Sequence, residues 1–164
     1  MKLLNIRLNM HDIQIDKIDR QILRLLQGDA SLSAAAIGEA IGLSQSPCWR
    51  RIQRMRDEGL IQGEIMQFDR KKLGFNVMIF AHVKLTAHGR SKVPEFAETI
   101  REFPEVLECH LVLGNVDFLL RIVTRDIEEY EHFFFEKLSH LPEVQEVTSN
   151  IVLSEIKFTT ELPI

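Results

Sequence analysis

Apolar residues recur at helical spacing near the start of the chain and predict two short helices. The first covers about residues 16–27. Four apolar positions form one stripe along it: Ile18, Ile22, Leu25 and Leu26. Ser33 can cap a second helix, and Gly42 ends it because glycine readily adopts the left-handed conformation found after a helix. These helices begin a predicted N-terminal domain over residues 12–62.

A third helix follows the glycine turn. Either Ser44 or Ser46 can serve as its N-cap, and its last residue is expected at about Glu58, just before Gly59. Its apolar positions again follow helical spacing and are expected to face the core: Cys48, Ile52 and Met55. The helix is also strongly basic, because four arginines lie between positions 50 and 56.

Two short helices across a tight turn, with the second one basic, are typical of a helix-turn-helix that binds the DNA major groove. Gln45 and Ser46 start the helix, where side chains can contact base edges or a phosphate. Arg50 and Arg54 are one turn apart and share a face. Arg51 lies nearer the core, so it either contacts phosphate or pairs with an acidic residue of the first helix. These five residues are the predicted DNA contacts.

Two alternatives concern the same helix. Its arginines can instead form a solvated face, but the preceding helix and glycine turn favour DNA binding. Trp49 borders the apolar stripe, and for this residue packing is favoured over DNA contact. After Gly59, the segment LIQGEIMQFD alternates apolar and polar residues, which predicts a wing or a linking strand. Residues 63–75 are accordingly interpreted as a linker with a strand.

The second half of the chain contains an internal repeat. Residues 93–114 and 130–153 each read as an amphipathic helix, then Pro-Glu-Val, then a strand. Pro104 and Pro142 end the two helices, 38 residues apart.

Strands are predicted at residues 76–86, 106–114, 117–124 and about 144–158, with a tight turn at 114–116 between the middle two. The order β-α-β-β-α-β is that of a ferredoxin-like domain, predicted over residues 76–158. The fold class is therefore α+β, with a helix-turn-helix followed by a βαββαβ domain.

Charge supports two different halves. The net charge is −4, but residues 1–62 hold nine Lys/Arg against seven Asp/Glu, whereas residues 63–164 hold eleven against seventeen. The N-terminus lacks the pattern of a signal peptide and no apolar run spans a bilayer, so we expect a cytoplasmic protein that does not bind membranes.

The sequence predicts no catalytic residues, no cofactor and no metal site. Glu108, Cys109 and His110 are adjacent in a strand, so their side chains alternate between faces and make a poor metal site. Cys48 and Cys109 are expected to be buried thiols. The three phenylalanines of residues 133–135 are expected to lie in the core or at a subunit interface.

Four segments together resemble the leucine-responsive/asparagine-regulator (Lrp/AsnC) family of bacterial and archaeal transcription factors. They read DKIDRQILRLLQGD, IGLSQSPCWRRIQRMRDEGLIQG, ECHLVLGNVDFLLRI and IKFTTELPI, and the resemblance covers about residues 12–160. It implies a winged helix-turn-helix joined by a linker strand to an effector-binding αβ-sandwich. It also implies a protein that binds double-stranded DNA, senses an amino acid and forms homo-oligomers, as dimers that assemble into octamers or related rings. It also implies that the protein is not an enzyme.

The resemblance also implies an effector site at the turn between strands two and three and on strand four. The residues are Leu111, Gly114, Asn115, Val116, Asp117, Asn150 and Ile151. Backbone amides at Gly114 can face the carboxylate of an amino acid while Asp117 faces its ammonium group. The alternative is that Gly114 and Asp117 only shape the hairpin.

Two other functions compete with a DNA-binding regulator. A small-molecule-binding or assembly module that does not bind DNA would use the basic helix to bind a protein. An enzyme is the third interpretation, because a ferredoxin-like sheet can carry catalytic residues. Retention on a promoter fragment separates the DNA-binding regulator from the module that does not bind DNA. Turnover of an amino acid would be required to support an enzyme.

Overall fold

The computed structural model describes residues 13–164, which form two compact units. The N-terminal unit extends to Met66 and also includes Lys157–Ile164. The C-terminal unit comprises Gln67–Ile156. The chain therefore returns to the first unit after completing the second.

Three helices form the N-terminal unit: α1 (Lys17–Gly28), α2 (Ala34–Ile41) and α3 (Gln45–Asp57). Each begins close to its predicted start. Asp16 caps α1 by accepting a hydrogen bond from the Asp19 N–H, and the Asp19 carboxylate accepts one from the Asp16 N–H.

The cap of α2 is as predicted, since Ser33 Oγ accepts a hydrogen bond from the Ala36 N–H and Gly42 ends the helix with φ 70°. Ser44 is the N-cap residue of α3, although its side chain makes no capping hydrogen bond.

The apolar stripes of the three helices meet in one core. Its buried members are Ile22, Ile37, Cys48, Ile52 and Met55. At Gly38 the turn into α3 passes so close that a Cβ atom would lie 2.4 Å from the carbonyl oxygen of Leu43. The absence of a side chain at Gly38 therefore allows the close approach that joins α2 to α3.

The last residues of the chain pack on α1. Leu162 donates its N–H to Gln27 Oε1 at 2.7 Å, and Gln27 Nε2 donates to the Leu162 carbonyl at 3.2 Å. Arg24 Nε donates to the Ile164 carbonyl oxygen. These contacts explain why the final segment belongs to the N-terminal unit.

The C-terminal unit has the predicted order of elements. Its strands are β1 (Val77–Leu85), β2 (Val106–Leu111), β3 (Phe118–Thr124) and β4 (Val144–Ile151). Its helices are α4 (Val93–Arg101) and α5 (Ile127–Phe133), with a π-helical extension over Phe134–Leu138. The strands form one antiparallel sheet in the order β2-β3-β1-β4, which is the ferredoxin-like topology.

Successive side chains of β1 point alternately to the two faces of this sheet. One face packs against α4 and α5 through a core that includes Ile79, Val83, Phe96 and Phe133. Phe80, His82 and Lys84 point to the opposite face, because successive strand residues alternate. We call this second surface the open face, since both helices of the unit pack on the other side.

The structure differs from the predicted wing and linker. Residues 62–69 contain no strand, and three apolar side chains in this segment are exposed: Ile65, Met66 and Phe68. A strand needs a neighbouring backbone to satisfy its N–H and C=O groups. The described residues supply no such neighbour to this segment, so neither the wing nor the linking strand forms within one chain.

Two further predictions were wrong in detail. β4 ends at Ile151 rather than near residue 158, because its partner strand β1 begins at Val77. Just beyond β4, the Val152 N–H donates to the Met78 carbonyl, and β1 offers little further backbone for pairing. Cys109 is exposed, unlike Cys48. It lies on β2, one of the two edge strands of the sheet.

The three phenylalanines of residues 133–135 divide between core and surface. Phe133 is buried and Phe134 packs against the core, whereas Phe135 is exposed. The prediction of core or interface is therefore confirmed for the first two.

Candidate nucleic-acid interface and effector site

Asp19 lies below the basic helix and binds two of its arginines. Its side chain is 0% exposed, and it accepts hydrogen bonds from Arg51 Nη1 at 2.8 Å and from Arg54 Nη2 at 2.6 Å. Arg51 also donates to Asp16 at 2.6 Å. The predicted pairing of Arg51 with an acid of the first helix is thus confirmed. The pairing of Arg54 was not predicted, and it connects α3 to α1.

This network also changes the acidity of its members. The backbone N–H of Asp19 and, to a smaller degree, the guanidinium of Arg51 hold the pKa of Asp16 below its ordinary value of 3.8. Burial raises the pKa of the Cys48 thiol on the inner side of α3. Asp16 is therefore ionised at neutral pH and Cys48 is protonated.

The remaining two arginines of α3 differ from each other. Arg56 Nη2 pairs with Glu64 at 2.5 Å. Arg50 is exposed, and within residues 13–164 it forms no ion pair. Three of the four arginines thus have acidic partners, and Arg50 is the cation of α3 that is available to an outside ligand.

The outer surface of α3 begins at its N-terminus. Gln45 and Ser46 are exposed there, and Arg50 follows one turn later. A helix N-terminus presents unpaired N–H groups and a partial positive charge, which suit a phosphate. The structure therefore groups Gln45, Ser46 and Arg50 on an accessible surface, while Arg51 and Arg54 lie beside it with their guanidinium groups directed to Asp19.

Trp49 is not packed in the core. Its side chain is 54% exposed, so the favoured prediction of packing was wrong. Helical geometry explains the result, because Trp49 follows Cys48 by one position and is rotated about 100° away from the buried stripe. The sequence signal that could have identified it is its spacing of three residues from Ser46.

The predicted effector turn is tightly connected to the sheet. Leu85 N–H donates to Asp117 Oδ2 at 2.8 Å, and Arg90 Nε donates to Asp117 Oδ1 at 3.1 Å. The Asp117 backbone bonds to Val83 and Val112. The Asp117 carboxylate therefore holds the end of β1 against the turn, as the hairpin-shaping alternative requires.

A shallow depression of about 230 Å³ lies on the open face beside this turn. Its lining residues are His82, Lys84, Asn115, Val116, Glu146 and Thr148. Lys84 and Glu146 are opposite each other in the β1–β4 ladder, and within the described part of the chain they are not ion-paired with one another. The depression thus carries one positive and one negative group beside two of the predicted effector residues.

The other predicted effector residues are dispersed. Leu111 lies on β2 and Ile151 on β4, the two edge strands on opposite sides of the sheet. Gly114 is exposed in the turn, and Asn150 faces Phe80 on the open face. A single chain therefore does not bring all seven residues into one site.

In the part of the chain that the structure describes, neither a group of side chains that could hold a metal ion nor a membrane-spanning helix is found. Across residues 13–164, no three His, Cys, Asp or Glu side chains are close enough to hold a metal ion. No helix in the same range is long and apolar enough to cross a bilayer.

A three-helix unit with a helix-turn-helix and a separate βαββαβ unit define the class of two-domain helix-turn-helix regulators. Sequence comparison agrees with both units. Residues 15–56 match the AsnC-type helix-turn-helix domain, and residues 78–162 match the Lrp/AsnC ligand binding domain. The chain belongs to the Lrp/AsnC family of transcription regulators.

Characterised relatives match over nearly the whole chain. The DNA-binding transcriptional activator DecR of Escherichia coli K12 is 36% identical, covering 92% of this chain and 99% of DecR. The transcriptional regulator AzlB of Bacillus subtilis is 38% identical, covering 93% of this chain and 97% of AzlB.

Two solved structures share the fold. An AsnC family regulator from Agrobacterium tumefaciens superposes with a TM-score of 0.84 at 39% identity, covering 90% of this chain and 96% of the other. A transcriptional regulator of Neisseria meningitidis, solved in complex with L-methionine, superposes with a TM-score of 0.86 at 32% identity. In that case 92% of this chain and 97% of the other are covered.

Proposed function

We propose that this protein regulates transcription by placing α3 in the major groove of duplex DNA, and that an amino acid bound by the C-terminal unit controls this activity. The observation that carries the proposal is the accessible group Gln45, Ser46 and Arg50 at the start of the second helix of a helix-turn-helix. In this arrangement the N-terminal residues of such a helix contact the base edges.

The five predicted DNA contacts divide into two roles. Gln45, Ser46 and Arg50 are accessible for bases and nearby phosphates. Arg51 and Arg54 orient α3 through Asp19, and their side chains, 29% and 41% exposed, add positive charge beside the groove. Phosphate contacts of this kind position a protein without specifying sequence.

The proposed effector is a free α-amino acid. An amino acid carries a carboxylate and an ammonium group, and the depression offers Lys84 for the first and Glu146 for the second. Asn115 and Val116 bring the turn to the same place. The methionine complex of the Neisseria meningitidis relative makes L-methionine one of the first candidates to test.

The residues outside the depression favour a homo-oligomer. Leu111 and Ile151 occupy opposite edges of the sheet, so a site that uses both sets of residues requires a second copy. The exposed Ile65, Met66 and Phe68 also offer apolar surface and an unpaired backbone. A dimer places two copies of α3 about one DNA turn apart, and an octamer repeats the same unit.

The proposed site of action is the cytoplasm, where a bacterial or archaeal regulator meets chromosomal DNA. The proposed activity is binding rather than catalysis, in keeping with a family of regulators. No turnover of amino acids is expected.

Selection of duplexes from a random-sequence library tests DNA binding directly. The full-length protein should enrich a site with two related halves whose centres are about one helical turn apart. A control duplex of the same length, with the enriched sequence scrambled, should not be retained. Failure to enrich any sequence at low salt would overturn the DNA-binding proposal and favour a module that binds a protein instead.

Thermal-shift measurements against the twenty amino acids test the effector. A ligand present at about 100 times its dissociation constant adds about 2.7 kcal/mol of stability. We expect one or a few amino acids to raise the unfolding temperature. Equal curves with all twenty would overturn an amino-acid effector without affecting the DNA-binding result.

A further inference from the structure

Trp49 is the single tryptophan of the chain, and it is 54% exposed on α3. A large apolar side chain normally gains free energy by leaving water. Within the N-terminal unit, the core takes the neighbouring Cys48 and Ile52 and leaves the indole outside. The exposed indole therefore needs an explanation other than packing.

The position of Trp49 places it among the groups that are available to DNA. Ser46, Trp49, Arg50 and Gln53 are spaced at i, i+3, i+4 and i+7, which is one face of a helix. With a rise of about 1.5 Å per residue, this face is about 10 Å long, which corresponds to about three base pairs. Trp49 lies near its middle.

Most of the arginines near Trp49 on α3 are paired with acidic residues of the same chain. Asp19 binds Arg51 and Arg54, and Glu64 binds Arg56, so Arg50 is the cation beside the indole that has no acidic partner among the described residues. A face with one available cation, two uncharged polar side chains and a large apolar ring differs from a purely phosphate-binding surface. It combines hydrogen bonding with apolar recognition.

We propose that Trp49 determines part of the DNA specificity by contacting the 5-methyl group of a thymine in the major groove. The proposal rests on the proposed role of α3 as the recognition helix. In the major groove only thymine presents a methyl group, and apolar side chains recognise it by contact. The ligand class for Trp49 is therefore a thymine flanked by bases that Ser46 and Arg50 can reach.

Replacing thymine by uracil tests this contact, since uracil keeps the base pair and removes only the methyl group. The probe is the duplex enriched from the random library, with each thymine replaced in turn. We expect replacement at one position per half-site to weaken wild-type binding about fourfold, which corresponds to one methyl group. Replacement at the other positions should have little effect.

Two variants make the test specific. In Trp49→Ala the same uracil replacement should no longer weaken binding, because the contact has been removed already. In Arg50→Ala, overall affinity should fall but the sensitivity to uracil should remain. If wild type and Trp49→Ala respond equally to every uracil replacement, the proposal is wrong even though DNA binding persists.

Fluorescence of this single tryptophan provides an independent measurement. Emission should shift to shorter wavelength when the selected duplex is added, since the ring leaves water. Unchanged emission at saturating duplex would overturn the proposal. So would a shift that accompanies protein concentration alone, because a second copy of the chain would then cover the ring. Absence of any enriched duplex would instead reject the underlying DNA-binding function.

Discussion

Arg54 on α3 and the fully buried Asp19 on α1 are joined by an ion pair of 2.6 Å between Nη2 and Oδ2. Asp19 also takes part in the capping box of α1 and binds Arg51. One carboxylate thus starts a helix and orients another. The orientation of α3 relative to α1 therefore depends on a carboxylate that is itself buried.

Removing this carboxylate should destabilise the N-terminal unit. We expect Asp19→Ala to lower the free energy of unfolding by about 2 to 3 kcal/mol, because charged hydrogen bonds are lost and two arginines lose their partner. The value stays below that of a fully enclosed pair, since both arginines regain water. Urea unfolding followed by circular dichroism measures it. Asp57→Ala, at an exposed acid of α3, is the control and should change stability by no more than about 0.5 kcal/mol.

Arg50 and Arg54 should separate DNA binding from stability. Arg50→Ala should weaken binding to the selected duplex by about 1 to 3 kcal/mol if the residue contacts a base, with the unfolding temperature unchanged. If it contacts a phosphate, affinity should fall for all sequences and the salt slope should flatten by about 1. Arg54→Ala should lower the unfolding temperature as well, because it breaks the pair with Asp19. If both variants bind the duplex as tightly as the wild type, neither arginine contacts the DNA.

Gly38 should not tolerate a methyl group. In Gly38→Ala the new Cβ would lie 2.4 Å from the Leu43 carbonyl oxygen, so the turn between α2 and α3 must move. The clash should cost about 1 to 3 kcal/mol, of which the better helix propensity of alanine offsets at most about 1 kcal/mol. Gly28→Ala is the matched control, since a Cβ there meets nothing within 4 Å. A stable Gly38→Ala protein with unchanged duplex affinity would show that the turn can relax.

Stability of the N-terminal unit should fall in acid. Hydrogen bonds from the Asp19 N–H and Arg51 lower the pKa of Asp16, and hydrogen bonds from Ser31 lower that of Asp29, both from 3.8. A folded pKa below the unfolded one contributes stability above the unfolded value, and this contribution is lost as the pH falls through the folded pKa.

The urea midpoint should therefore decrease as the pH is lowered through 3.8 and below. Asp16→Asn keeps an oxygen for the cap but cannot titrate, so its decrease should be smaller than that of the wild type. Asp29 still titrates in this variant and accounts for part of the remaining decrease. An identical pH dependence in the two proteins would exclude Asp16 as a source of acid sensitivity.

Effector binding should respond differently to Lys84 and Asp117. Lys84→Met removes the cation of the depression and should reduce affinity for the stabilising amino acid about ten- to a hundredfold, with stability unchanged. Asp117→Asn should reduce both affinity and stability, because its carboxylate accepts hydrogen bonds from Leu85 and Arg90. Titration calorimetry and thermal unfolding measure the two effects. An unaltered affinity in Lys84→Met would place the amino acid elsewhere on the sheet.

The elements of this protein could be predicted from sequence because their signals are local. Asp16 and Ser33 cap their helices within three residues, and Gly42 ends α2 through its own φ angle. The alternation of helices and strands after residue 76 likewise determines the βαββαβ order. In each case, side chains and backbone atoms a few positions apart decide the outcome, so periodicity and turn residues suffice.

The candidate site depended on contacts that local patterns do not contain. Asp19 is 35 positions from Arg54, and nothing in the spacing of the arginines shows that a buried carboxylate binds one of them. Likewise, Trp49 adjoins the apolar stripe in sequence, but the packing of α1 and α2 decided that its ring stays outside. The sequence by itself identified the basic helix that carries the predicted DNA contacts. Only the tertiary structure decided which of its side chains are available, because long-range ion pairs and core packing occupy the others.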